Sequence, residues 1–238
     1  MSIRQEILYL IRYELKRSWP ALIGTFLFTS IFGIATIILF NSNINSGFSL
    51  DFIFITVLPY FCTLYGAKEY WSISKLKQDP FTQQLAWYRT LPISLHGFTM
   101  SRMVLSLVLV LVMSTSFFLS IYPFSKPIHS MDAGHYLSFA LMWTAYAFSV
   151  GSAYTYLEWC KRGIWIFWGP IIVMTVIVCP IIFWLNVFRV NVVQWTIHLS
   201  ITHPILSVLI AWMSAACLII GWFFVIKKQI HTRDLAID

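Results

Sequence analysis

Six long apolar runs constrain this chain more than any other feature. They lie near 20–40, 52–67, 103–122, 137–157, 164–188 and 204–226. An α-helix needs about 20 apolar residues to cross a hydrocarbon layer about 30 Å thick. The second run is short and broken by Pro59, and Pro170 and Pro180 interrupt the fifth. Such breaks are tolerable in a span where neighbouring helices satisfy the freed carbonyls. Composition points the same way. Hydrophobic residues make up 59% of the 238 and charged residues 11%, against roughly 25% charged in soluble domains. The mean hydropathy is +0.77. The expected fold class is all-α, a polytopic membrane protein with six transmembrane helices. One transmembrane domain covers 1–238, with the spans in 20–226 and a cytoplasmic tail at 227–238. The first run is long enough to span and ends in no small-residue cleavage site, so it reads as a retained helix rather than a signal peptide.

Charge sets the expected orientation. With the N-terminus inside, only Lys126 and Arg189 of the 16 Lys and Arg fall on the outer side. Reversing the topology inverts that split. Because short cytoplasmic segments collect Lys and Arg, both ends are expected in the cytoplasm and the protein in the plasma membrane. The net charge of +7 then describes a basic cytoplasmic rim against anionic lipid, not a nucleic-acid site. Trp19, Trp165, Trp168 and Trp222 stand near the ends of runs, where indole rings favour the headgroup layer. Small residues at helical spacing, such as Ala147 with Gly151, Ser149 with Ala153, and Ala211 with Ala215, allow helices to approach closely.

Two segments are neither spans nor plain loops. In 1–19, Ile3, Ile7, Leu10, Ile11 and Leu15 recur at helical spacing, with Arg4, Glu6, Arg12, Lys16 and Arg17 between them. This is the pattern of an amphipathic interfacial helix. In the cytoplasmic loop 68–101, Asp79 suits an N-cap and Pro80 the first helical position. Phe81, Leu85 and Tyr88 fall on one face. Pro92 stops the helix near Leu91, and Ser94 caps a second helix leading into the third run. The expected product is a short cytoplasmic helix with exposed aromatics, which call for a partner or the bilayer surface.

Signatures of intramembrane chemistry are missing. The nine acidic residues all fall in loops or near run ends, with no aspartate pair at mid-membrane depth. There is no His-Glu-x-x-His, no Gly-x-Ser-x-Gly and no Gly-rich phosphate loop ending in Lys-Ser or Lys-Thr. Cys62, Cys160, Cys179 and Cys217 form no Cys-x-x-Cys pair, and the six histidines are scattered, four of them in outer segments. No metal site is expected. The near absence of ionisable residues at hydrocarbon depth disfavours ion-coupled transport. Glu69 and Glu158 each end a run on the cytoplasmic side, near tyrosines and before a tryptophan. They are candidates for a pair of cytoplasmic gates, or for simple interfacial composition.

Taken together, the amphipathic N-terminal helix, the six runs with both ends inside, and Arg89-Thr90-Leu91-Pro92-Ile93-Ser94 followed by Ser101-Arg102 resemble the permease subunits of type-two ATP-binding-cassette exporters. The resemblance implies that the helix around 81–90 is a coupling helix. Phe81, Leu85, Tyr88, Arg89, Leu91, Pro92, Ile93 and Ser94 would then form the interface to a separate ATPase. It also implies two ATPase subunits as partners, with ATP and magnesium bound there rather than in this chain. A second copy or a sister permease, and membrane lipid, complete the expected assembly. The chain would not be an enzyme by itself. Its cargo would be amphipathic or hydrophobic: a peptide, an antimicrobial or a lipid-like molecule. The alternative is a membrane sensor or scaffold without transport.

Overall fold

The computed structural model describes residues 3–42, 47–63, 76–91, 93–129 and 131–232. Every element among the described residues is helical: α1 (Ile3–Arg17), α2 (Trp19–Asn41), α3 (Gly47–Cys62), α4 (Pro80–Thr90), α5 (Leu95–Phe124), α6 (Lys126–His129), α7 (Ala133–Cys160), α8 (Ile164–Val187), α9 (Val192–Thr202) and α10 (Pro204–Thr232). Four of these, α2, α5, α8 and α10, are long and apolar enough to cross a membrane. The chain is therefore compatible with a membrane protein.

The other two expected spans differ in instructive ways. Helix α3 is apolar but short. It starts as an α-helix, widens to a π-turn at Ile53–Val57 and tightens to a 3-10 turn at Leu58–Cys62, which contains Pro59. Proline lacks the N–H of the regular ladder, and the backbone changes pitch to accommodate it. Helix α7 has the length but is rich in Tyr, Trp, Ser, Thr and Gly. It sits at the centre, touching α3, α5, α8, α9 and α10. A helix sheathed by other helices does not need an apolar surface for lipid, so hydropathy understates it.

Helices pack where side chains are small or their hydroxyls are satisfied locally. The buried strip of α2 is Ala21, Thr25, Thr29, Gly33 and Thr36. Three of its threonines donate to carbonyls one turn back: Thr25 to Ala21 at 2.8 Å, Thr29 to Thr25 at 2.9 Å and Thr36 to Phe32 at 2.7 Å. That satisfies the hydroxyls away from water. At Gly151 of α7, a Cβ would lie 3.1 Å from both Cβ and Sγ of Cys62, so glycine sets the distance between α3 and α7. Two large apolar clusters result, with a smaller third around Ala21, Leu105 and Leu109. One centres on Phe54, Phe61, Phe117, Phe139 and Trp143. The other, at the opposite end, gathers Leu10, Phe81, Leu85, Tyr88, Phe98, Trp159, Ile226 and Ile230. On the far side, both oxygens of buried Asp51 accept from the first amides of α9, Val192 at 2.9 Å and Val193 at 2.8 Å.

Helix α1 packs part of its apolar strip against the body. Leu10 is buried, and Ile11 and Leu15 pack with Ala21, Leu105 and Leu109. The backbone bonds Ser18 N–H to Glu14 O and Leu22 N–H to Ser18 O carry helical pairing across the junction with α2. Moreover, α1 and α2 follow α5 together. Glu6 meets Ser94, Glu14 meets Arg102, Gly33 faces Phe117 and Ser120, and Asn41 reaches Phe124. That steady register means α1 extends α2 along α5. Part of the strip that reads as amphipathic is thus covered by protein, while Ile3 stays 52% exposed.

Candidate functional site

The segment singled out by sequence, the helix between the second and third apolar helices, folds as α4 at the end opposite Asp51. Its start is as expected, with Asp79 preceding Pro80. The Asp79 carboxylate does not bond the helix amides, however. It accepts from the Thr82 hydroxyl at 2.5 Å and from Gly163 N–H at 2.9 Å, tying α4 to the α7–α8 connection. Asp79 has φ 50°, a left-handed geometry that Asp tolerates better than most residues. The helix stops at Thr90, and Leu91 is extended. Ser94 caps α5 by accepting from Gly97 N–H at 3.0 Å, and donates its own hydroxyl to Glu6 at 2.8 Å.

The face expected to be exposed is turned inward. Phe81 is 5% exposed, Leu85 0% and Tyr88 4%. They pack among Leu10, Phe98, Trp159, Ile226 and Ile230. The sequence pattern identified an apolar face, and the ends of α5, α7 and α10 supply its cover. The Arg89 guanidinium donates to the carbonyl of Ile230 in α10. Leu91 and Ile93 pack at the edge of the same cluster. The outward side carries Gln83, Thr90 and Trp87, the last 47% exposed. Pro92 and Glu69 lie outside the described residues.

Below α4 is a polar node that no sequence pattern announced. Arg102 of α5 is buried, and one guanidinium nitrogen lies 3.2 Å from Glu14 of α1 and 3.1 Å from the Tyr88 hydroxyl. Its guanidinium carbon stands 4.3 Å from the Trp159 ring centroid, with Phe98 at 5.3 Å and Tyr88 at 5.4 Å. A buried cation is held by pairing and by aromatic faces. Burial pushes the Tyr88 phenol up, and the neighbouring Arg102 charge opposes that shift. One side chain thereby joins α1, α4, α5 and α7. The partners are 88 and 14 positions apart in the chain, beyond any local periodicity. The available signal was a lone arginine at the edge of an apolar run.

The node borders a small cleft of about 50 Å³ with a mixed lining, Glu14, Ser18, Thr63, Arg102, Tyr154 and Glu158 beside Phe81, Leu105, Leu109 and Trp159. Glu158, proposed from sequence as a gate, is therefore placed beside the node. Thr63 and Tyr154 are shared with a larger open groove of about 470 Å³ between α2, α3 and α8. Phe28, Phe32, Phe52, Phe167 and Ile171 make it apolar. Tyr60 and Tyr154 pack with ring centroids 4.8 Å apart. Such a groove suits an apolar chain with a few hydrogen-bonding groups. Among the described residues, no three His, Cys, Asp or Glu side chains converge as metal ligands. No protein-family model, curated protein or solved structure matches the chain.

Proposed function

We propose that this chain is the membrane-spanning permease subunit of an ATP-driven exporter of the type-two ATP-binding-cassette class. It crosses the membrane six times with both termini in the cytoplasm, α3 and α7 being the two crossings hidden by the others. It works with two ATPase subunits and a second copy or a sister permease. The observation that carries this reading is α4. A short helix between the second and third crossings packs across the ends of the bundle and is bolted to α1, α5, α7 and α10. A push on α4 would reach all of them. Arg4, Arg12, Lys16, Arg17, Arg89, Arg102, Lys161, Arg162, Lys227 and Lys228 belong to elements at this end, while Lys126 and Arg189 lie at the other. That distribution supports a cytoplasmic location for α4.

The residues assigned to coupling divide into two groups. Phe81, Leu85, Tyr88 and Arg89 fix α4 to the body, and Ser94 fixes the start of α5 to α1. The groove between α2, α3 and α8 is where an amphipathic or hydrophobic cargo would enter from lipid. The test is affinity purification of the tagged chain from its own host in mild detergent, followed by mass spectrometry. Recovery of an ATPase carrying Gly-x-x-x-x-Gly-Lys-Ser/Thr in near-equal amount is expected. Recovery of the chain alone, where a known transporter stays assembled, would refute the reading and favour a stand-alone sensor or scaffold.

A further inference from the structure

Helix α8 is the least buried of the four long apolar helices. Only Ile166, Pro170 and Ile182 along it are buried, and the contacts that tie Arg102 and Asp51 to other helices leave it out. On its inner side it does not close on its neighbours. The groove of about 470 Å³ lies between its Phe167 and Ile171 and the residues Phe28, Phe32 and Val57 of α2 and α3. A second gap, of about 80 Å³, lies between Pro59 and Tyr60 of α3 and Pro170, Val173 and Met174 of α8. At that gap α8 changes pitch, with a π-turn at Met174–Val178 set between Pro170 and Pro180. Each proline removes a ladder bond, and helices bend at prolines and π-turns. The middle of α8 is therefore its weakest point, beside space it can bend into. Both ends are anchored. The second half packs against the start of α3. At the other end, Gly163 N–H donates to Asp79 at 2.9 Å. A Cβ on Gly163 would stand 2.7 Å from the Leu76 carbonyl oxygen, so the residues leading into α4 bear directly on the residue before α8.

We propose that the first half of α8, residues 164–173, is a gate over the groove, bending at the π-turn and moved by α4 through the Asp79–Gly163 contact. This rests on the exporter reading for what pushes α4, while the hinge and its link to Asp79 belong to this chain alone. Trp168 stands about 12 Å from the middle of the π-turn at 1.5 Å per residue, so a bend of about 20° carries it about 4 Å. The test is pulsed electron spin resonance on the purified chain in lipid nanodiscs, with Cys62, Cys160, Cys179 and Cys217 replaced by Ala. Spin labels on Trp168→Cys in the first half, or Phe183→Cys in the second, are paired in turn with Leu119→Cys of α5 and Met213→Cys of α10, all exposed positions. Asp79→Gly cuts the link, and glycine tolerates the φ of 50° held there. Gly163→Ala, which forces residue 163 away from Leu76, is the second perturbation. Size exclusion confirms that each variant is folded. Each is expected to shift the distance from 168 to at least one reference by about 4 Å and to leave the distances from 183 unchanged. Adding Pro170→Ala/Pro180→Ala is expected to abolish the shift. Unchanged distances from 168 in both folded variants would overturn the gate and leave the exporter reading intact, because no ATPase enters the measurement. An equal shift at 183 would show α8 moving as a rigid rod and overturn the hinge. A shift that survives the proline replacements would overturn it too.

Discussion

Replacing Leu85 with Ala separates two roles for α4. If the Phe81–Leu85–Tyr88 face docked a partner, truncation would leave this chain as stable as before and weaken only the complex. The structure gives the opposite expectation. Leu85 is wholly buried among Phe81, Trp159, Ile226 and Ile230. Its cover comes from the ends of α5, α7 and α10. A buried Leu→Ala change costs about 2–5 kcal/mol, depending on how far the cavity collapses. In a chain of this size each kcal/mol shifts Tm by roughly 2–4 °C, which places the loss at about 4–20 °C if α4 unfolds with the rest. If α4 detaches alone, the loss appears instead as rapid protease cleavage within 76–91. Trp87→Ala, at an exposed position, should stay within about 0.5 kcal/mol of wild type. The assay is thermal unfolding of the purified chain in detergent, read by fluorescence-detected size exclusion, with limited proteolysis beside it. An unchanged Tm and unchanged protease resistance for Leu85→Ala would refute the packing argument and return that face to a partner.

Other expectations follow from particular contacts. Glu14→Gln strips the Arg102 cation of its charged partner and should destabilise the chain by about 3 kcal/mol. Adding Arg102→Met should recover part of that loss, so a double-mutant cycle in Tm must show non-additivity. Gly151→Val places a Cβ where Cys62 already stands at 3.1 Å, and overpacking of this kind costs about 1–3 kcal/mol. Reduced yield of folded protein on size exclusion is the readout. Asp51→Ala leaves the Val192 and Val193 amides unpaired at the start of α9 and should cost about 1 kcal/mol. Faster hydrogen exchange confined to 191–195 would report it.

What the sequence made legible, and what it hid, follows from the range of each interaction. Local chemistry was readable. Pro80 opens α4, Leu91 is extended ahead of Pro92, and Ser94 caps α5, each decided within a few residues. The apolar faces of α1 and α4 were readable too, because helical periodicity requires only the neighbouring turn. Their occupants were not, because periodicity identifies a face that avoids water without saying what covers it. Lipid, a partner and the chain's own helices all satisfy the same pattern. In both helices the chain itself supplies cover, from residues such as Leu105 and Ile226, which are distant in sequence. The Arg102 node was hidden for the same reason. An arginine buried at the edge of an apolar run costs several kcal/mol unless paired, but the sequence named neither Glu14 nor Trp159. That cost gives the useful rule for a chain of this composition. With so few charges, each one buried at the edge of an apolar run fixes where two elements must meet. Arg102 ties α1 and α4 to the basic end, and Asp51 ties α3 to α9 at the other. Among the described residues the bundle is thereby pinned near both ends by buried charged groups and left without charge between, its buried hydroxyls satisfied within the helices, which is the arrangement a body needs if force applied to α4 is to move whole helices rather than deform their middles.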